Sequence, residues 1–176
     1  MSEMHCDALQ LYTVRDLTAK DFAGTMKKVA EVGYKFVELA GYGNLGNAKA
    51  VRKALDDAGL KACSGHYAID VLEKNVEQVI AEIDVFWVRY AGADPVEEIN
   101  KLGERVRLLH LKDITGASEK RFAPVGTGQI DFKAVLAAAR KNGVRWGIVE
   151  QDRTYDATPL QAIKTSLENL KKLGAV

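Results

Sequence analysis

Three polar side chains stand where they could bind a cation together. Asp84, His110 and Glu150 lie at or near the ends of short apolar runs, in AEIDVFW, LLHLKD and GIVEQD. Carboxylate oxygens and imidazole nitrogens bind Mn²⁺, Mg²⁺, Co²⁺ and Zn²⁺ in proteins. If the runs are parallel strands, their carboxyl ends open onto one face, where the active sites of βα folds form. We therefore predict a divalent-metal site there, although each residue alone is also compatible with a structural role.

Three more side chains extend this pattern. His66, in ACSGHYA, follows another short apolar run. Glu38 interrupts the run KFVELAG, either as an inward acid near the site or as an exposed edge-strand residue. Lys112 follows His110 at the alternate position, where it could neutralise a sugar hydroxyl or a phosphate, or pair with Asp113.

Two other features have a structural interpretation beside the functional one. The glycine-rich stretch 124–132 matches neither dinucleotide nor P-loop fingerprints. It is predicted mainly to lead into a helix cap at Asp131, with phosphate binding as the minor alternative. Trp87 and Tyr90 are predicted to pack rather than to stack on a sugar.

The elements that must position these residues alternate between short apolar runs and helical stretches, a pattern typical of α/β folds with parallel strands. Helix caps are predicted at Thr18, Asp94, Asp131 and Thr158, and a further helix from about Asp70. No linker composition interrupts residues 1–176, which are predicted to be a single domain. Six strands are predicted: Leu9–Val14, Lys35–Leu39, Leu60–Ser64, a run within Val79–Val88, Val106–Leu111 and Trp146–Glu150.

Composition excludes several classes of function. The chain has 176 residues, with 25 basic and 24 acidic side chains and a net charge of +1. This balance predicts no nucleic-acid and no membrane partner, because both need a clustered basic patch. No apolar run approaches the roughly 20 residues of a membrane span. The polar N-terminus and the two cysteines, which lack metal-type spacing, predict a cytoplasmic protein with free thiols rather than a disulfide.

Five segments together closely resemble sugar phosphate isomerases and epimerases of the xylose-isomerase-like TIM-barrel superfamily: VGYKFVELAGYG, EIDVFWVRYAGADP, RVRLLHLKD, VGTGQIDF and WGIVEQD. The resemblance implies a sugar or sugar-phosphate substrate and one divalent metal. It makes Asp84, His110 and Glu150 metal ligands and Glu150 also the proton-transfer base. It places Lys112 and His66, with Glu38 nearby, in contact with substrate.

One departure from that family weakens the expectation of activity. Members are usually far longer, with two further βα units between the strand ending in His66 and the strand carrying Asp84. The second unit brings an HNHxxEF-like segment, whose Glu is the remaining ligand and the opposed base, and this sequence lacks it. The join in NVEQVIAEIDVFWV is also too tight for an ordinary loop. We therefore predict an internal deletion near residues 78–82, with a terse natural connection between the helix and the strand as the alternative.

A deletion of this kind predicts a TIM-barrel-derived α/β fold with about six strands instead of eight. Such a sheet would form a small closed barrel or an open, rearranged sheet, with the strand Leu60–Ser64 brought beside the strand that carries Asp84. Uncovered edges predict a homodimer or higher oligomer. We expect weak or lost isomerase activity. The alternative is a non-catalytic shortened or engineered scaffold, whereas a DNA-repair endonuclease of the same superfamily is disfavoured by the charge.

Overall fold

The computed structural model describes residues 4–66, 81–116 and 119–176, and within them six parallel strands form one open, curled sheet with helices between the strands. The predicted TIM-barrel-like α/β fold with six strands is confirmed. The predicted helix from Asp70 and most of the segment assigned to the deletion fall outside the described residues.

The strands of the sheet are β1 (His5–Gln10), β2 (Phe36–Leu39), β3 (Lys61–Gly65), β4 (Ala81–Asp84), β5 (Val106–Leu111) and β8 (Trp146–Val149). Between β5 and β8 the chain forms a separate small hairpin of β6 (Asp113–Ile114) and β7 (Phe122–Ala123).

The helices of the described residues lie in the connections between these strands, except the last, which follows β8. They are α1 (Arg15–Thr18), α2 (Phe22–Val32), α3 (Ala48–Ala58), α4 (Val85–Tyr90), α5 (Pro95–Leu102), α6 (Phe132–Lys141) and α7 (Pro159–Lys172). None of the described helices is long and apolar enough to cross a membrane. Cys6 and Cys63 both carry free thiols.

The sheet order is β3–β2–β1–β8–β5–β4. The expectation that β3 would pair with β4 is wrong, because these two strands are the opposite edges of the sheet. Each of the other strands pairs with its neighbours in the chain, and β8 returns to pair with β1. The opening therefore falls between the strands that flank the undescribed residues 67–80.

Alternation along the strands divides the apolar residues between two regions, because successive side chains point to opposite faces. The outward-facing residues join the helices in one large core, which includes Leu9, Val37, Leu109 and Val149. The inner face holds a small cluster built on Ala8, Leu108 and Ile148. Polar side chains follow these inner residues toward the carboxyl ends of the strands.

Helix caps confirm most of the predicted starts. Asp94, Asp131 and Thr158 each accept a hydrogen bond from a backbone N–H in the first helical turn. Thr18 is not a cap: it ends α1, and Asp21 caps α2 by accepting from the N–H of Gly24. Both residues fit the same sequence signal, and the short turn α1 decides between them.

The first strand is displaced from its predicted position. It covers His5–Gln10, and Leu11–Val14 forms a 3-10 turn instead of strand. The side-chain oxygen of Gln10 accepts from the N–H of Tyr12, which turns the chain, while Leu11 and Val14 remain buried. Apolar character alone did not distinguish a buried turn from a strand.

The glycine-rich loop folds around a protein carboxylate. Asp113 accepts hydrogen bonds from the N–H groups of Gly126, Gly128 and Ile130, at 2.8–3.1 Å. Burial raises the pKa of Asp113, against the opposing effect of these backbone donors. The loop is therefore a shaped connection into the Asp131 cap, and its donors are engaged by Asp113.

Candidate metal centre

The carboxyl ends of β4, β5 and β8 bring three predicted ligands together. Asp84 ends β4, His110 lies near the end of β5, and Glu150 directly follows β8. Asp84 and His110 are partners in register, and His110 pairs with Ile148 on β8. One possible ligand atom from each of the three residues lies within 4.8 Å of the others.

The Nδ1 face of His110 is surrounded by carboxylates. Nδ1 lies 2.8 Å from Oε1 of Glu82, 2.9 Å from Oε2 of Glu150 and 4.0 Å from Oδ2 of Asp84. The Glu150 atom is buried and lacks hydrogen-bond geometry to any donor among the described residues, although the ion-pair distances are short. This face offers several oxygens in addition to the ring nitrogen.

The Nε2 face of the same ring meets a different carboxylate. Nε2 lies 2.7 Å from Oε2 of Glu38, which also accepts from Nε2 of Gln10 at 2.8 Å. The side chain of Glu38 is only 1% exposed. Glu38 is therefore an inward acid behind His110, which decides between the two possibilities that its sequence position left open.

Lys112 contacts three carboxylates at the centre. Its Nζ atom is 2.8 Å from Oδ2 of Asp84, 2.9 Å from Oε2 of Glu150 and 3.1 Å from Oδ1 of Asp152. The pairing with Asp113 considered from the sequence is wrong, because Asp113 faces the glycine-rich loop. Lys112 is buried and neutralises carboxylates of the centre.

Burial and charge act against each other throughout the centre. Burial lowers the pKa of His110, but its contacts with Glu150, Glu38 and Glu82 outweigh this effect and raise the pKa to about 12. Burial raises the pKa of Glu150, but His110 and Lys112 hold it at about 2. The metal-free centre therefore contains an imidazolium and an ammonium among ionised carboxylates.

Burial and nearby charge also oppose each other at Glu38 and Asp152, and the net shift of the pKa differs between the two. Burial raises the pKa of Glu38, yet the hydrogen bond and the charge of His110 leave the pKa below its usual value. Burial also raises the pKa of Asp152, and here the opposing effect of Lys112 is too small to reverse the shift.

A cleft of about 520 Å³ opens beside Glu150. Its lining includes His66, Trp87, Arg15 and Arg153 in addition to Glu150. His66 lies at the end of β3, with its side chain 48% exposed. The cleft therefore combines two residues of the candidate centre, Glu150 and Asp152, with cationic, aromatic and imidazole groups that a polar ligand could contact.

Trp87 and Tyr90 are both packed against neighbouring aromatic rings and partly exposed. They pack against each other and against Phe86. Each is nevertheless nearly half exposed, and Trp87 also lines the cleft.

Sequence reasoning missed three members of the centre. Glu82 precedes Asp84 by two residues, and Asp152 follows Glu150 by two, so both share the inner face of their neighbours. Gln10 holds Glu38 from the last position of β1. The two-residue spacing was a usable signal for the acids, whereas nothing in the sequence linked Gln10 to Glu38.

Comparison with known proteins agrees with this architecture. A family model described as xylose isomerase-like TIM barrel matches residues 68–173, more than half of the chain. No curated protein matches the sequence.

Three solved structures share the fold at low sequence identity. Two are described as sugar phosphate isomerase/epimerase from Parabacteroides distasonis ATCC 8503. One has a TM-score of 0.71 and 19% identity, with 98% of each chain covered. The other has a TM-score of 0.75 and 16% identity, covering 99% of this chain and 95% of that one. The third, a xylose isomerase-like TIM barrel/4-hydroxyphenylpyruvate dioxygenase fusion protein, has a TM-score of 0.68 and 14% identity, covering 98% of this chain and 43% of its own.

Proposed function

Because the chain belongs to the xylose isomerase-like TIM-barrel family, we propose that it is a divalent-metal-dependent isomerase or epimerase of a small sugar or sugar phosphate, with weak turnover. The observation that carries this proposal is the convergence of Asp84, His110 and Glu150 within 4.8 Å, next to a cleft that Glu150 lines. The names of the solved structures with this fold support the same reaction class.

The residues present fit a divalent cation. The centre offers one imidazole and carboxylate oxygens, the donor set of Mn²⁺, Mg²⁺, Co²⁺ and Zn²⁺. Oε2 of Glu150 is buried, and within the described part of the chain its short contacts with His110 and Lys112 lack full hydrogen-bond geometry, so the oxygen is available to a cation. His110 binds a metal only as the neutral imidazole, so its proton must leave when the cation enters.

Glu150 is the group we assign to proton removal. A bound cation would polarise the substrate carbonyl and make the hydrogens on the adjacent carbon acidic. Glu150 lines the cleft, and the ammonium group of Lys112, 2.9 Å from its Oε2, favours the ionised carboxylate that proton removal requires. Its carboxylate accepts the proton from that carbon, while Lys112 holds the carboxylate in place.

Return of the proton on the opposite face limits the reaction. The family that the sequence resembles places the opposed carboxylate in a segment that this chain lacks. Loss of a general acid or base typically costs about 10²–10⁴-fold in rate. We therefore propose that proton exchange at the substrate carbon survives better than complete conversion.

His66, Lys112 and Glu38 have different positions relative to the substrate. His66 lines the cleft and is the predicted substrate contact that faces solvent. Lys112 and Glu38 are buried behind the ligands, so we propose that they act on the substrate through Glu150 and His110 rather than by direct contact.

Hydrogen exchange tests this function directly. The Mn²⁺-loaded protein is incubated in D₂O with small ketoses, aldoses and their phosphates, and deuterium incorporation beside the carbonyl is followed by NMR. Exchange should occur with at least one substrate, disappear in Glu150→Gln and persist in Glu97→Gln, which alters an exposed helical carboxylate. Absence of exchange with every substrate would reject the enzymatic proposal.

The second candidate function is a non-catalytic shortened scaffold. The observation that favours it is the ion-pair network of His110 and Lys112, which neutralises part of the centre without any metal. In that case Mn²⁺ would not bind measurably and Glu150→Gln would change stability alone.

A further inference from the structure

A second group of possible ligands shares His110 with the group of Asp84 and Glu150. It consists of Glu38, His66, Glu82 and His110, each of which offers an atom within 4.8 Å of the others. Glu38 approaches Nε2 of the ring, whereas Glu82, Asp84 and Glu150 lie on the Nδ1 side. The two groups therefore share only the imidazole.

Glu38 supplies an independent sign of a missing partner. Its side chain is 1% exposed, and Oε2 already accepts from Gln10 and contacts His110. Its other oxygen, Oε1, is buried and has no partner with full hydrogen-bond geometry among the described residues, although Ser64 lies close enough to Glu38 to lower its pKa. Leaving a buried charged acceptor unsatisfied is costly, so this oxygen is a candidate ligand.

The charge of the centre points the same way. Five carboxylates surround two cationic side chains. One divalent cation bound to neutral His110 leaves Lys112 as the side-chain cation paired with them among the described residues, and these groups together then carry two uncompensated negative charges. A second divalent cation balances these charges, and buried charge without compensation is costly. The carboxylates are Glu38, Glu82, Asp84, Glu150 and Asp152, and the cations are His110 and Lys112.

The distance between His66 and Glu38 suits ligands of one ion. Nε2 of His66 lies 3.8 Å from Oε2 of Glu38, which is too long for a hydrogen bond. Two ligands on a tetrahedral ion with bonds of about 2.0–2.1 Å stand roughly 3.4 Å apart, so a small adjustment is enough. His66 is half exposed at the cleft, which gives an ion a route from solvent.

We propose that Glu38, His66 and Glu82 bind a second divalent cation, beside the His110 ring and between Glu38 and Glu82. This inference rests on the proposed function for the first cation, at Asp84, His110 and Glu150. Neutral imidazole has one lone pair, which His110 gives to the first cation through Nδ1 while its Nε2–H donates to Oε2 of Glu38. The second cation is then bound by the carboxylate of Glu38, Nε2 of His66 and a carboxylate oxygen of Glu82, with water completing its shell.

Binding stoichiometry separates the two sites without any activity measurement. The full chain is titrated with Zn²⁺ by calorimetry, and the metal content of the saturated, gel-filtered protein is measured by mass spectrometry. His66→Ala removes a half-exposed ligand, and Asp84→Asn removes a ligand of the first site. His5→Ala is the matched control, because His5 begins β1 at the opposite end of the sheet.

The proposal expects two ions per chain for the natural protein and for His5→Ala, and one for His66→Ala and for Asp84→Asn. The Mn²⁺-saturated natural protein should also show the electron paramagnetic resonance of a coupled pair, which His66→Ala abolishes. One ion per chain that His66→Ala leaves in place would overturn the second site and preserve the first. One ion lost in His66→Ala but kept in Asp84→Asn would support the site of Glu38, His66 and Glu82 and reject the first. Complete absence of binding would reject both.

Discussion

Nε2 of His110 lies 2.7 Å from Oε2 of Glu38, so a carboxylate on β2 orients an imidazole on β5 across the inside of the sheet. Metal-binding histidines commonly donate their second ring N–H to a carboxylate, which fixes the tautomer and makes the free nitrogen a better ligand. Here the contact leaves Nδ1 directed toward Asp84 and Glu150.

The Glu38→Gln substitution tests this contact. Gln keeps the size and an acceptor oxygen but removes the charge, so Zn²⁺ affinity at the Asp84–His110–Glu150 site should fall by about 10–100-fold. Affinity is measured by competition with a chromophoric chelator in a chain that also carries His66→Ala, with His66→Ala alone as the reference. Unchanged affinity would show that Glu38 does not act through His110.

Lys112 should stabilise the metal-free protein far more than an exposed lysine does. Lys112→Met removes the partner of buried Glu150 and should cost about 3–5 kcal/mol in the free energy of unfolding. Lys101→Met removes a lysine that is 72% exposed and should cost less than about 1 kcal/mol. Urea unfolding in the presence of a chelator measures both, and equal losses would contradict a structural role for the Lys112 network.

The metal-free protein should lose stability as the pH rises above neutrality. The pKa of His110 is raised from 6.5 to about 12, because contacts with Glu150, Glu38 and Glu82 outweigh the effect of burial. The native state therefore keeps a proton that the unfolded chain releases. This stabilisation is complete below pH 6.5 and is lost as the pH rises toward 12.

Urea unfolding between about pH 6.5 and 8 measures this decline. Burial also raises the pKa of Cys6 and Cys63 to about 12, which would add a decline of the same sign at higher pH. Saturating Zn²⁺ provides the control, because metal binding requires neutral His110 and should remove or reverse the slope. A flat profile without metal would mean that His110 is neutral in the native state.

Gly128 should be sensitive to the addition of a single methyl group. A Cβ atom there would overlap the carbonyl oxygen of Ile114 and the carboxylate of Asp113. Gly128→Ala should lower the free energy of unfolding by about 1–3 kcal/mol, as overpacking does. Gly116→Ala is the control, because its Cβ would meet nothing nearer than Nε2 of Gln129 at 3.5 Å. Equal stability of the two variants would show that the loop around Asp113 relaxes freely.

Assembly should follow from the open sheet. Strands β3 and β4 are its edges within the described residues, and unpaired strand edges favour association. We expect a homodimer or a higher oligomer at micromolar concentration, measured by light scattering after gel filtration. A monomer of 19.3 kDa over the whole concentration range would mean that both edges are protected within one chain.

Local signals in the sequence determined much of the architecture. Alternation of apolar runs with capped helices predicted the parallel strands, and Asp94, Asp131 and Thr158 marked true helix starts because a cap depends on the next few residues alone. Strand-end positions also predicted that Asp84, His110 and Glu150 would converge, since parallel strands share one carboxyl edge.

Only the tertiary structure decided where the sheet opens and which charged side chains pair at the centre. Strands β3 and β4 are separated because the other strand pairs, including β1 with β8, join segments that are far apart in the chain. The contacts of Glu38 with His110 and of Lys112 with Glu150 depend on the curl of the sheet, which brings distant strands face to face. Sequence spacing specifies the face on which a side chain lies, whereas its partner across the interior is fixed only by the packing of the whole sheet.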